Sequence, residues 1–499
     1  MRDRVRWNAP MIRDRKIDQT SFVLNDGRAD QSEFSFLVIG DSGSGQHRGN
    51  DPQRRVAEQM LQNQEDSRFI LHTGDVVYLV GSSEFYPKNF IEPYREFLVN
   101  GENYKQIAHD EMIFKLPFLP VPGNHDYYDL PLAYGVLIQL SYPIRRLLRS
   151  RLDFDLGLHG SYQGKAYTQA FLDQLWLLER QGKLEQHLDH RYIAETINGR
   201  CLQYDPGVFT RLPNRYYTFR YGGIDFFALD SNTFNAPIPL SPDQQGEEYR
   251  QNLIKQRAEV EAEMQSLVAR SESLNLNDPD DSDLMDDIRV KLEQLEETQM
   301  DIDKQLSSRT AAIADTEQLE WLRDRLIQSW QSPEVRGRVI YFHHPPYVTE
   351  SSKWYQAQTL AVRYRLREVF DQVAEVIDRG NRGVVDLVLN GHAHCFEYLR
   401  TMDTGHADSN MNWIICGGSG YSLRRQRVEG AELFEGETLV AKSQMFIGRE
   451  GRGSSKRRPY SFLRIDVTAD DPVKFVVRPF VSEWAMHQWR DRALEPFVI

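Results

Sequence analysis

The chain has 499 residues, which is more than one compact domain usually holds, so about three units or one large core with insertions is expected. Hydrophobic residues make up 40% and charged residues 27%, a globular composition that excludes wholesale disorder. The net charge of −13 argues against general binding to nucleic acid or to an anionic membrane.

Residues 1–30 are polar and basic-leaning, and they are expected to form a lead-in with no apolar stretch long enough for a signal-peptide core. The most apolar segment, 132–140, has nine residues and is too short to span a bilayer. Only Cys201, Cys395 and Cys416 occur, at wide spacings, so no disulfide framework is needed and a cytoplasmic location is expected.

The first strand signal is 34–39, rich in aromatic and β-branched residues and closed by Gly40-Asp41-Ser42-Gly43. A helical stretch follows at 54–63. Further strand patterns at 69–72 and 118–121 run into Gly74-Asp75 and into Pro122-Gly123-Asn124-His125-Asp126. Residues 130–200 form a long, mostly helical insertion by pattern, before the buried strand at 224–229. Later strands are expected at 339–342, 384–389, 413–416, 462–467 and 473–477, then a tail over 481–499. Strands alternating with helices, with loops at strand ends, predict an α/β sheet packed between helices.

A second insertion, 247–312, carries two apolar seams. Leu253, Val260, Met264 and Leu267 are spaced 7, 4 and 3; Ile288, Leu292, Leu295, Ile302 and Leu306 are spaced 4, 3, 7 and 4. Heptad spacing on both sides of a polar segment at 275–282 predicts an antiparallel helical hairpin with charged outer faces. It is expected to be a solvated arm, with docking of a protein partner or dimerisation as the other reading. The Gly/Arg/Ser segment 448–458 reads as a loop.

The strand ends carry a high density of metal-ligating residue types: Asp41, Asp75 and Tyr78, Asn124 and His125, His343 and His344, and His392 and His394. In open α/β sheets such loops converge on one crevice. Oxygen and imidazole donors with only one nearby thiol, Cys395, point to first-row transition metals rather than a thiolate zinc site. His72, inside a strand pattern, is read as a core histidine. Gly391-His392-Ala393-His394 is the rarest of these pieces, and the alternation of a strand end points both imidazoles to one side.

Gly40-Asp-Ser-Gly43, Gly74-Asp-Val-Val-Tyr78, Gly123-Asn-His-Asp126, His343-His-Pro345 and Gly391-His-Ala-His394 together resemble the five blocks of the calcineurin-like metallophosphoesterases, and of their purple acid phosphatase branch in particular. The resemblance covers 34–130, 210–235 and 314–480. It implies an α/β fold, a four-layer β-sandwich flanked by helices, with a catalytic domain over 31–246 and 313–480 and the helical insertions at 130–200 and 247–312. Most of the superfamily has a histidine where this chain has Gly43. Tyr78 can replace that ligand, and a phenolate is a hard anionic donor suited to ferric iron. The alternative is an unligated Tyr78 beside a divalent-only centre.

By resemblance, one metal takes Asp41, Asp75, Tyr78 and His394, and the other takes Asp75, Asn124, His343 and His392, with Asp75 bridging. His344 substitutes for His343 if that loop is shifted. The implied cofactors are Fe(3+) at the Tyr78 site and Zn(2+), Mn(2+) or Fe(2+) at the other. His125 is implied as a catalytic residue that contacts substrate and protonates the leaving oxygen, with Asp126 orienting it.

The expected function is binuclear hydrolysis of a phosphomonoester by a metal-bound hydroxide, acting on a small phosphorylated substrate, with no nucleic-acid or membrane partner. A phosphodiesterase or nucleotide hydrolase of the same fold is the alternative, and a non-catalytic scaffold acting through the hairpin is the reading from another class. His47 and Arg48 are further candidates for contact with substrate phosphate. Arg424, Arg425, Arg427, Lys456, Arg457 and Arg458 are candidates for a basic rim near the pocket.

Overall fold

The computed structural model describes residues 1, 9–43, 50–78, 80–129, 161–275, 279–308, 314–451, 455–486 and 488–499. Two sheets dominate these residues. The smaller runs in the order Gln488–Ala493, Phe475–Ala485, Arg458–Val467, Phe34–Ile39, Ser67–His72 and Phe118–Pro120, with Phe497–Val498 also on Phe475–Ala485. The larger runs Glu432–Glu435, Thr438–Ile447, Phe396–Thr401, Asn412–Cys416, Leu387–Asn390, Gly337–Phe342, Ile224–Ala228, Tyr217–Tyr221, Ile17–Leu24, Gly199–Tyr204 and Ala194–Thr196.

Each sheet has a parallel centre. Phe34–Ile39, Ser67–His72 and Phe118–Pro120 are parallel in one; Ile224–Ala228, Gly337–Phe342, Leu387–Asn390 and Asn412–Cys416 are parallel in the other. Strands buried on both faces read as unbroken apolar runs. Phe34–Ile39 and Gly337–Phe342 accordingly have every residue buried.

The sheets meet through aromatic rings. Phe36 stands edge-on to Phe226 at 5.5 Å, and Phe69 to Phe219 at 5.4 Å, the edge-to-face arrangement that ring quadrupoles favour. The far face of the larger sheet carries a second core, in which Phe227, Ile340 and Phe342 pack with Leu322 and Leu326 of helix Thr316–Gln331 and Leu366 and Phe370 of helix Ala357–Ala374. Helix Pro52–Asn63 lies against Arg458–Val467 and Phe475–Ala485 on the outer face of the smaller sheet. Helix, sheet, sheet, helix is the resulting order of layers. All three cysteines are buried and free. Among the described residues no helix is long and apolar enough to cross a membrane.

The structure departs from the expected boundaries in three places. Within the supposed lead-in, Ile17–Leu24 is a strand between Tyr217–Tyr221 and Gly199–Tyr204, because Thr20, Ser21, Phe22 and Leu24 have a buried groove to fill. The supposed tail supplies Gln488–Ala493 and Phe497–Val498 to the smaller sheet, pairing with a strand that already runs to Ala485. Of the insertion at 130–200, residues 130–160 lie outside the described residues. The remainder has three short helices between Lys165 and Arg191, and then Ala194–Thr196 and Gly199–Tyr204, which extend the larger sheet.

The hairpin segment forms two helices, Gln244–Glu272 and Pro279–Ser307. The first is mostly exposed. The second has no exposed residue from 290 to 302, because it lies between the first arm and the catalytic core. Only the first arm therefore has the solvated outer face that the heptads suggest for both.

Candidate metal centre

The parallel strands of both sheets deliver their loops to one point. Asp41 follows Phe34–Ile39, Asp75 and Tyr78 follow Ser67–His72, Asn124 follows Phe118–Pro120, His343 follows Gly337–Phe342, and His392 and His394 follow Leu387–Asn390. Asp41, Asp75 and His392 adopt φ of 52°, 54° and 65°. Non-glycine residues in this left-handed region cost about 1–3 kcal/mol each and persist only where the surroundings fix them. Three such residues in one cluster mark a site whose geometry is held against local preference.

The glycines of the motifs are there for close approach. A Cβ on Gly123 would sit 2.1 Å from the Asp75 carboxylate, and one on Gly391 would sit 2.6 Å from that of Asp41. At Gly43, the position where the resemblance leads one to expect histidine elsewhere, a Cβ would meet the carbonyl oxygen of Val76 at 2.2 Å. No imidazole fits there. Tyr78 reaches the same centre from the neighbouring loop: its hydroxyl lies 2.8 Å from Asp41 Oδ1, 2.7 Å from Asp75 Oδ2 and 3.1 Å from His394 Nε2. The phenol ring is fixed by Tyr421, stacked at 3.8 Å, and by His125 at 4.4 Å.

The second half of the cluster is built on His343. Its Nε2 is 3.1 Å from Asn124 Oδ1 and 3.2 Å from Asp75 Oδ2, while Nδ1 bonds the carbonyl oxygen of Thr73 at 2.9 Å. His394 repeats the pattern, with Nδ1 on the Ser422 carbonyl at 2.9 Å and Nε2 towards Tyr78. A backbone carbonyl holding one ring nitrogen so that the other faces the donors is the usual support of a metal-ligating histidine. His344 differs. Both of its ring nitrogens are taken, by Ser231 Oγ at 2.8 Å and Asn235 Nδ2 at 3.2 Å. Asp41, Asp75 and His343 can hold an ion by proximity, and so can His343, His344 and His392. The bonds to Ser231 and Asn235 favour His343 as the ligand in both.

Burial, and after it the neighbouring Asp75, raises Asp41 to about 7. Burial also works to raise Asp75, but His343 and His125 beside it hold it below the usual carboxylate range. Burial and then the two carboxylates push Tyr78 well up. Two wholly buried carboxylates, a phenol and four nitrogen or amide donors around one point form a set that a pair of cations satisfies. The residues fit the implied metals.

His392 donates its backbone N–H to Asp41 Oδ2 at 2.8 Å, and its ring is 4.9 Å from that of His343. Its Nε2 meets Lys353 Nζ at 3.1 Å and Gln358 Nε2 at 3.0 Å. His125 is half-buried, gives its backbone N–H to Asp75 Oδ1 at 2.8 Å and rests its ring on Tyr78. Asp126 accepts backbone N–H bonds from Gly123 at 2.9 Å and from Val76 at 3.0 Å, so it ties the loop after Phe118–Pro120 to the loop after Ser67–His72. Those bonds make it a brace for both loops. His72 does similar work: Nδ1 accepts from Gly74 N–H, which leaves Nε2–H to donate to Ser42 Oγ at 2.8 Å. Burial lowers its pKa to about 3, so it stays neutral.

Lys353, Gln358, Tyr421 and Glu297 also belong to this neighbourhood and carry no motif by which sequence reasoning finds them. Of the expected basic rim, Arg424 reaches the site, whereas Arg425 bonds the carbonyls of Arg449 and Gly451 and Arg427 pairs with Glu429. His47 and Arg48 lie outside the described residues.

A family model for calcineurin-like phosphoesterase matches residues 34–292, which includes Asp41, Asp75, Tyr78 and Asn124 and ends before His343. Two solved structures are similar. One is described as "GAP50 the anchor in the inner membrane complex of Plasmodium", with 11% identity and a TM-score of 0.37, covering 93% of this chain and 89% of that one. The other is described as "Structure of PhoD", with 13% identity and a TM-score of 0.40, covering 93% of this chain and 69% of that one. No curated protein matches the chain.

Proposed function

The chain belongs to the calcineurin-like phosphoesterase family, and within it we propose a binuclear phosphomonoesterase of the purple acid phosphatase type. The observation that carries this reading is Tyr78, whose hydroxyl lies within 3.1 Å of Asp41, Asp75 and His394 while Gly43 leaves no room for the alternative histidine. Asp41, Asp75, Tyr78 and His394 would hold a ferric ion, and Asp75, Asn124, His343 and His392 a divalent one. Bound there, the two ions supply Lewis-acid chemistry, lowering the pKa of water and neutralising charge on the phosphoryl oxygens.

The chain's own residues do the rest. His125, beside Tyr78 and half open to solvent, is placed to give a proton to the leaving oxygen, a role for which an imidazole is suited near neutrality. Its loop is held to the cluster by its own N–H on Asp75 and by Asp126 on Val76 and Gly123. Asp126 thus acts on His125 through the loop backbone. His72 and Ser42 fix the loop of Asp41 against that of Asp75.

Isolated protein should be visibly coloured by charge transfer from the Tyr78 phenolate to iron, and Tyr78→Phe should bleach that colour without changing the far-UV circular dichroism. Activity on p-nitrophenyl phosphate should fall and not vanish, since three ligands of that ion remain. It should exceed activity on bis(p-nitrophenyl) phosphate in the unaltered protein. A colourless and fully active protein containing only divalent metal defeats the iron assignment, and faster diester hydrolysis replaces the monoester reading with a phosphodiesterase.

A further inference from the structure

The second hairpin arm, Pro279–Ser307, meets the core through charges. Asp287 pairs with Arg449 and with Lys456; Gln294 bonds Ser351; Asp301 accepts the backbone N–H groups of Ala357 and Gln358, which opens helix Ala357–Ala374. At the centre of this line, Glu297 reaches the metal-ligand cluster. Its Oε2 is 2.6 Å from Lys353 Nζ, and its Oε1 is 3.5 Å from the Arg424 guanidinium. Lys353 is in turn 3.1 Å from His392. The Glu297 carboxylate is close enough to His394 and to Tyr128 to act on both electrostatically.

Two features set this contact apart from an ordinary surface ion pair. First, both cations are buried: the side chains of Lys353 and Arg424 are 1% and 2% exposed, while that of Glu297 is 28% exposed. A lysine and an arginine withdrawn from water beside a catalytic cluster need an anion. Second, Glu297 satisfies them only in part. Arg424 donates from one terminal nitrogen to the Val290 carbonyl at 2.5 Å, but its Nε and its other terminal nitrogen have no hydrogen-bond partner among the described residues, the Glu293 carboxylate standing 3.8 Å from the latter. At 3.5 Å the Glu297 carboxylate is an ionic neighbour of that fork and makes no hydrogen bond to it.

A guanidinium edge presents two parallel N–H groups, a geometry that tetrahedral phosphate oxygens match in bidentate fashion. Buried donors left unmade carry their full desolvation cost, so a ligand that completes them is favoured over a carboxylate that does not. Burial works to raise Glu297, but Lys353 and then Arg424 outweigh it and bring it down to about 2. It is thus anionic at any working pH, and it resembles phosphate in charge but lacks the third oxygen.

We propose that Lys353 and Arg424 form a phosphoryl-binding subsite beside the metal-ligand cluster, with Glu297 of the hairpin as a built-in occupant that the phosphate of a substrate displaces. This rests on the reading of the cluster as a phosphoesterase site. The hairpin is then a substrate-gated cover. Its bonds to the core at Asp287, Gln294, Glu297 and Asp301 are polar, the kind that water and phosphate can replace, while its apolar seam faces the first arm and survives the opening.

The test uses inorganic phosphate as the probe, titrated calorimetrically into full-length protein, with hydrogen exchange followed across the second arm. Glu297→Gln should bind phosphate about tenfold more tightly than the unaltered protein, since a competing anion is removed. Phosphate should raise amide exchange over 287–301 in the unaltered protein. The double variant Glu297→Gln with Lys353→Met should lose the gain, and Arg424→Lys should weaken binding while keeping the charge. Equal phosphate affinity in Glu297→Gln and the unaltered protein, or unchanged exchange over the arm, overturns the subsite.

Turnover of p-nitrophenyl phosphate is measured alongside. A protein that hydrolyses the ester but shows no Glu297 effect rejects the subsite and leaves the phosphoesterase reading standing. The tenfold effect in a protein without turnover supports the subsite and rejects the hydrolase.

Discussion

Asp75→Asn should abolish hydrolysis, with kcat/KM lower by on the order of 10³-fold or more, and should reduce the metal content of the isolated protein. The reason lies in what one carboxylate touches. Asp75 Oδ2 is shared between the Tyr78 hydroxyl and His343 Nε2, which belong to the two halves of the cluster, and Oδ1 holds the backbone N–H of His125. An amide of the same shape keeps one oxygen for the His125 N–H. It cannot supply a second anionic oxygen, and its NH₂ is a donor aimed at groups that are donors or metal ligands already. The side chain is wholly buried, so no water moves in to compensate. Metal analysis, the rate with p-nitrophenyl phosphate and the melting curve should be read together. A folded Asp75→Asn protein with full metal occupancy and near-normal turnover would rule out a shared carboxylate between two ions.

The positions of Asp41, Asp75, Asn124, His343 and His392 are readable in the chain because each closes a short apolar run, and the ends of parallel strands are where loops converge. The glycines beside them are readable for a related reason: at Gly123 and Gly391 only a missing Cβ lets backbone approach a carboxylate. The core behaves similarly. Phe34–Ile39 and Gly337–Phe342 are mostly apolar, interrupted only by Ser35 and Arg338, and every residue in them is buried because both faces are covered.

Ile17–Leu24 is harder to read, since Asp18, Gln19 and Thr20 break its apolar pattern. Asp18 proves to be a local cap, bonded to Thr20 and Ser21, and a partner for Arg325, a residue 307 positions away. Lys353 and Arg424 are harder still. In sequence, Ser-Ser-Lys-Trp looks like a solvated loop, Arg424 stands out only as one of six candidates for a basic rim, and the heptads of the hairpin say which faces of its arms meet each other. They do not say what the charges outside the seam will meet. That pairing is a tertiary event between residues 56 and 127 positions apart, and no local spacing encodes it.

The same limit applies to Arg215, whose removal should be the most destabilising single change outside the cluster. Its side chain is 2% exposed and lies between two buried carboxylates, Asp230 at 2.9 Å and Asp315, with Thr233 Oγ1 at 3.1 Å. Arg215→Met keeps the aliphatic stem and deletes the charge, so Asp230 and Asp315 are left together without a cation. Breaking a buried pair in this way typically costs about 3–5 kcal/mol, more than the pair itself contributes relative to an apolar replacement. The urea midpoint should fall accordingly, and adding Asp230→Asn and Asp315→Asn should recover part of the loss by removing the stranded charges.

The damage should also reach the metal centre. Asp230 takes the hydroxyl of Tyr127, two residues beyond His125, and Asn232 donates to the carbonyl of Pro122 at 2.9 Å, two residues before Asn124. Ser231, between them, holds His344 and so the His343 loop. With this support loosened, the rate should drop by about 10–100-fold even at temperatures where the protein stays folded, the size of effect seen when groups behind metal ligands are removed. A variant that loses less than about 1 kcal/mol would mean that Arg215 is held there by its hydrogen bonds rather than by its charge.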